Sequence, residues 1–358
     1  MSSPTPSPTA PAEYLLAEIP SESPEDLQNY FEARGWGDGL PLVAPTPERV
    51  AAMLEHAPGD PDECLAVFPP RNGRATRRMV AVNAVLAGCR PAVMPVLVAA
   101  TRLLGDPAFN LRGVNATTHP VAPLLIVHGE AVDRCGFNSG SGSFGPGKGV
   151  NGVVGRAVRL LLLHVGGARP GDGDQSTQGS PTKYAFCIAE NREATPWESY
   201  PASLGIGSPS ALTIFPGEGP HNIHDTEADN PQQILDKIAS TITTLGHTQG
   251  GSKGGEFLIV LAPEHAQTIA GRKWGREDIQ MYLYEVARLP LARQKAIFKN
   301  RNWPRWMRFL PEDMLGPMAV HPDRYRIVVA GGPGKHSVML PSWGRSITVP
   351  LTDTGDSQ

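Results

Sequence analysis

Nine residues, GEGPHNIHD (217–225), bring two histidines and two carboxylates into one short stretch after an apolar run. Imidazole nitrogens and carboxylate oxygens are the usual protein ligands of divalent transition metals. His221 and His224 are three residues apart, a spacing that can share one ion on a turn or in a first helical turn, with Asp225 adding an oxygen. The expected site is therefore a divalent transition metal held by His221, His224 and Asp225, polarising a substrate oxygen or activating water. Glu218 beside it and Glu190, at the end of an apolar run, are the expected proton carriers. The competing account is that Asp225 or Asn230 caps the next helix while the histidines are solvated.

Three further histidines stand at the ends of apolar runs. His119 opens THPVAPLLIV and joins the catalytic candidates, His265 follows FLIVLA, and His336 follows YRIVVA. Gly-Pro-Gly-Lys occurs twice, at 145–148 in SGSFGPGKGVNG and at 332–335 in AGGPGKHS. Glycine turns expose backbone amides and a lysine adds charge, so Gly147, Lys148, Lys335 and His336 are expected to cradle an anion. The first copy approaches a nucleotide-binding loop, but Gly149 stands where a magnesium-binding Ser or Thr is needed. Arg71, Arg74, Arg77 and Arg78 gather at the start of an apolar helix, where cations oppose the helix dipole unless an anion or nearby acids relieve them. Cys187 lies in an alternating run without a local activating base, which favours a buried thiol over a nucleophile.

Helix ends frame these residues. Ser23-Pro24-Glu25-Asp26, Thr46-Pro47-Glu48 and Asn230-Pro231 each read as a cap followed by a first-position proline. Segments 79–88 and 92–105 read as buried helices, the second kinked at Pro95, and 231–245 and 277–289 as amphipathic ones. Strands are expected at 40–44, 123–129, 183–190, 211–215, 257–262 and 325–331. Alternating strands and helices imply an α/β protein with a mixed or mostly parallel sheet and flanking helices, with ligands beyond the carboxyl ends of strands. The expected division is a disordered Ser/Pro/Thr-rich tail at 1–20, a larger lobe at 21–250 and a smaller one at 251–358. TQGGSKGGE (248–256) would be the linker and a cleft would lie between the lobes.

The 358 residues carry a formal charge of −3, which provides no basic field for nucleic acid, and no apolar run is long enough to span a membrane. Four scattered cysteines and the lack of a signal-like start point to a reduced, cytoplasmic protein. Seven segments stand out along the chain: GWGDGLPLVAPT (35–46), NATTHPVAPLLIVHG (115–129), HVGGARPGDGD (164–174), FCIAENREATPWE (186–198), GPHNIHD (219–225), APEHA (262–266) and AGGPGKHS (330–337). Over roughly residues 25–340 they resemble a bacterial family found alongside UGSC-motif selenoproteins and their cysteine forms. The resemblance implies a ligand-handling α/β protein and a UGSC-type partner protein, whose redox motif this chain lacks. The residues themselves point to a lyase or hydrolase acting on a small anionic substrate. Two other readings stand beside it: an accessory protein binding a thiol or selenol partner, and a metal-independent enzyme with Cys187 as nucleophile.

Overall fold

A computed structural model describes residues 23–299 and 303–352; the tail expected at 1–20 lies outside them. Tertiary contacts sort the described residues into two units that interleave along the chain, 23–120 with 149–187 and 350–352, and 121–148 with 188–349. The segment 248–256 lies within the second unit, and its Gln249, Lys253 and Glu256 are buried. Its glycines serve close packing: a Cβ on Gly255 would come within 2.1 Å of the Gln249 amide.

The first unit is largely helical. Pro24–Ala33 and Pro47–Glu55 start as their sequences predict, with Ser23 and Thr46 accepting the amides of Asp26 and Arg49. Arg77–Ala87 is buried almost all round and packs against Gly149–His164, as a helix without a polar face must. Pro95 sits in the first turn of Met94–Gly105, where no donor is needed, so it does not kink the helix. The strand expected at 40–44 does not form. Pro41 lacks a donor, and the Val43 amide bonds the Leu86 carbonyl at 3.1 Å instead of entering a ladder. Strands β1 (Cys64–Phe68) and β2 (Gly73–Thr76) make an antiparallel hairpin leading into the arginine cluster. Acids answer that cluster: Arg71 pairs with Asp172, Arg77 with Glu63 at 2.8 Å and Arg78 with Asp62 at 2.9 Å.

The second unit carries the sheets. Its first is built on β3 (Ala122–Gly129), β4 (Cys187–Ala189), β5 (Ser210–Gly217) and β12 (Ile347–Pro350), in the order β12-β5-β3-β4, with β3 and β5 antiparallel. The second contains β6 (His221–His224), β7 (Phe257–Leu261), β10 (Tyr325–Val329) and β11 (His336–Pro341), in the order β10-β7-β11-β6. There β10 runs parallel to β7, while β11 is antiparallel to both β7 and β6. A two-stranded ribbon of β8 (Arg288–Pro290) and β9 (Leu315–Pro317) completes a mixed α/β architecture. Ile234, Leu235, Ile238 and Ile242 form the apolar stripe of Pro231–Ile242. They share one core with Ile259, Leu261, Ile327 and Val329 of the second sheet. Asn230 caps that helix by accepting the Gln233 amide at 3.0 Å.

One polar residue in the first unit couples its folding to pH. The Gly37 amide donates to His164 Nε2 at 3.0 Å, and His164 Nδ1 donates to Asn83 Oδ1 at 2.6 Å. A second ring proton would face the Gly37 donor, so the neutral imidazole is the one that fits. Burial, with Arg169 adding repulsion, pushes His164 down from 6.5 to about 3. Below its ordinary value the unfolded chain binds a proton that the folded state refuses, so stability falls as pH drops through this window. Urea unfolding should register a loss of about 3 kcal/mol from this group between pH 7 and pH 4. His164→Gln should flatten that slope; an unchanged slope would remove His164 as its source.

Candidate functional site

The stretch that suggested chemistry is a strand. In β6, Ile223 is buried while His221, Asn222 and His224 are exposed. Alternation sends His221 and Ile223 to one face and Asn222 and His224 to the other. His221 and His224 therefore do not chelate as a pair. Asp225 turns inward, its Oδ1 accepting the amides of Glu227 and Ala228 and the Lys237 ammonium at 2.6 Å. Burial opposes the carboxylate, but Lys237 and the two amides outweigh it and hold Asp225 below its ordinary range. It organises the turn before the helix, and its charge already has a cation. The three residues do not fit a shared metal, and among the described residues no three His, Cys, Asp or Glu side chains converge for one.

The register creates a different pair. His224 lies opposite His336 of β11, with ring centroids 5.1 Å apart. Asn222 Oδ1, on the same face, stands 3.2 Å from His336 Nδ1 and orients that ring as a donor. His336 is exposed and follows the second Gly-Pro-Gly-Lys loop directly. Lys335 is half-buried, its ammonium 3.3 Å from the Ala228 carbonyl.

That loop meets the first glycine loop just beyond the carboxyl ends of the parallel strands β7 and β10, the usual ligand position in such sheets. The Gly331 amide donates to the Ser139 carbonyl at 2.8 Å, and Asn191 Nδ2 donates to the Gly331 carbonyl at 3.2 Å. Ser141 lies flat on Gly332, where a Cβ would fall 1.8 Å from its hydroxyl. Two hollows flank this contact. One, of about 360 Å³, has Ser143, Gly145, Gly334 and His336 in its wall and Val260, Ala262 and Val338 beneath. The other, of about 630 Å³, adds Glu193, Glu264, Gln267 and Lys335. The amides of Gly332 and Gly334 donate to no group among the described residues. The first turn of helix Pro263–Ala270 opens at the same place without a side-chain cap. Unengaged amides, a helix start and an ammonium suit an anionic oxygen.

The remaining candidates fall elsewhere. Gly147 holds the first loop shut, since a Cβ there would strike Asn138 Nδ2 at 1.9 Å, whereas Lys148 is exposed and lines neither hollow. Glu218 accepts the Thr248 amide at 2.9 Å and starts a short helix. Glu190 is buried, bonded to His128 Nδ1 at 2.7 Å and the Tyr200 amide at 2.9 Å, with Arg276 3.5 Å away. His119 belongs to the first unit, where its carbonyl accepts Ser176 Oγ at 2.6 Å. Burial, with Cys89 nearby, pushes the Cys187 thiol far up, away from the reactive thiolate. His265 and Ser337 share a 2.8 Å hydrogen bond but are fully buried, so they tie strand ends together. Lys253, which sequence reasoning passed over, is buried against Met318 and Trp303 and pushed down to about 7 by burial, yet reaches neither hollow. Asn138 and Ser141 were missed as well, with the Ser/Gly run before the first loop as their signal, and Asn191 had no such signal.

With this fold and site in hand, comparison with protein-family models, with curated proteins and with solved structures finds no match.

The loop contact makes a differential prediction. Gly332→Ala must push the Ser141 backbone aside and should cost roughly 2–3 kcal/mol in urea unfolding. Gly334→Ala, at φ 133° with open space around it, should cost roughly 1 kcal/mol through backbone strain alone. Equal costs would show that the two loops do not depend on this approach.

Proposed function

We infer that the protein is an enzyme of the lyase or hydrolase type that acts on a small anionic substrate. The single observation that carries this is the cradle formed by two glycine loops beyond β7 and β10, with His336 in its wall and His224 beside it. The substrate's carboxylate or phosphate would lie on the Gly332 and Gly334 amides, with Lys335 at the edge of the larger hollow adding charge. His336, oriented by Asn222, would pass a proton to or from the reacting oxygen; imidazole is the side chain suited to that near neutral pH. Glu193 or Glu264 would supply the opposite proton transfer. Charge developing on an oxygen in either bond-breaking step would meet amides already in position.

A second reading, docking of a UGSC-type partner protein, has one observation behind it. Trp306 and Phe309, three residues apart, are 49% and 77% exposed, which puts two large apolar side chains close together on the surface.

Turnover of a panel of small carboxylate esters, phosphate esters and hydroxy acids, followed by proton NMR, separates the two. The enzyme reading expects turnover in which His336→Asn lowers kcat about 100-fold or more with KM little changed. Lys335→Met should instead raise KM about tenfold at low salt and weaken its salt dependence. No turnover across the panel, or full activity in His336→Asn, would sink it.

A further inference from the structure

The first unit holds a separate cavity of about 670 Å³, walled in part by the two motifs that the site above leaves unused, GWGDG (35–39) and HVGGARPGDGD (164–174). Its charges do not balance. Asp38 is answered by Arg156, just outside the wall, in a two-point pair at 2.8 and 2.7 Å; that guanidinium also bonds the Leu40 and Pro41 carbonyls. Burial works against the Asp38 carboxylate, but Arg156 overcomes it and keeps it ionised below the ordinary range. That pair cancels. Asp174 is the other carboxylate of this wall, which also carries Arg159, Lys183 and Arg169. Its Oδ2 takes Lys183 at 2.9 Å and Arg159 at 3.4 Å, and its Oδ1 accepts the Ser176 amide. The Arg169 guanidinium, in the same wall, makes no hydrogen bond among the described residues.

Three cations against one carboxylate leave two positive charges uncompensated. The Arg159 and Lys183 side chains are only 12% and 13% exposed, and burial pulls the proton affinity of both groups down. Like cations held together away from water destabilise a fold unless an anion joins them. The rest of the wall is not charged. Leu163, Pro170, Pro181 and Tyr184 offer an apolar side, and Ser180 a hydroxyl.

We propose that this cavity binds a small dianion, a phosphate monoester or a dicarboxylate, whose charge bridges Arg169 and the Arg159–Lys183 edge while its carbon body rests on Leu163 and Pro181. Both ligand types share two negative charges a few ångströms apart, which matches the excess. Arg169 is the recognising group, because its planar fork can bind two oxygens at once and no protein group among the described residues occupies it. Arg159 and Lys183 remain tethered by Asp174, which offsets part of their mutual repulsion and holds both at one edge.

Calorimetric titration of the full chain with inorganic phosphate and with succinate, at low and high salt, tests this. At least one probe should bind, weaken with salt and raise the unfolding midpoint. A response to phosphate alone assigns a phosphoryl ligand, and a response to succinate alone a dicarboxylate. Arg169→Gln should weaken that binding at least tenfold and leave the unfolding midpoint of the free protein unchanged or higher, since it removes an uncompensated cation and breaks no hydrogen bond among the described residues. Arg169→Lys should restore part of it. Gly332→Ala should leave this event intact, because it acts on the second unit's cradle. The proposal is overturned if neither probe binds, if Arg169→Gln binds as the parent does, or if binding disappears only in Gly332→Ala.

Discussion

A missing methyl group at Gly332 governs the polar end of the second sheet. Only without a Cβ can Ser141 lie on that backbone, and only then does the Gly331 amide reach the Ser139 carbonyl. The contact lies four residues before His336, the β11 residue that stands opposite His224. A side chain at 332 would strike Ser141 and force one loop off the other. Backbone amides aimed at a ligand by glycine turns need no reorganisation when an anion arrives, which is why such loops recur wherever charge must be held firmly.

Interior carboxylates in this protein serve as anchors. Glu256 takes Arg326 at 2.6 Å and the amide and hydroxyl of Ser346, while Glu190 holds His128 and the Tyr200 amide. Asp225 organises its own turn. Each is a buried carboxyl group engaged by directed hydrogen bonds, as burial of a polar group requires. His336, Lys335, Glu193 and Glu264, at the loop junctions, are exposed or half-buried instead. The division follows from solvation: a buried carboxyl group needs partners inside the protein, and a group that must gain and lose a proton needs a less committed setting.

The two cavities treat charge differently. In the second unit's small hollow the wall is glycine, serine, histidine and aliphatic carbon, and an anion would be held mostly by backbone. In the first unit the wall carries guanidinium and ammonium groups in excess over carboxylate. A backbone cradle tolerates many anions of the right size, whereas planar guanidinium groups discriminate by oxygen geometry.

Local signals in the chain were strong where the physics is local. Caps at Ser23, Thr46 and Asn230 announced their helices, because a side-chain oxygen and a following proline satisfy a helix start without help from elsewhere. Apolar runs announced β3, β5, β7 and β10, which are buried on both faces and so need no partner to explain their composition. The alternation of those elements was enough to determine an α/β class. HNIH could not be read in this way. With one buried residue in four it becomes a strand only by pairing with β11, and that pairing alone sets His224 against His336 and turns His221 away. Likewise, nothing local to Glu190, Lys253 or Gly332 shows that the first two are enclosed and the third is pressed by Ser141. Residue type and spacing determined which groups could do chemistry. Long-range packing decided which of them water and a ligand can reach, because burial and register arise from contacts between segments that the chain brings together only on folding.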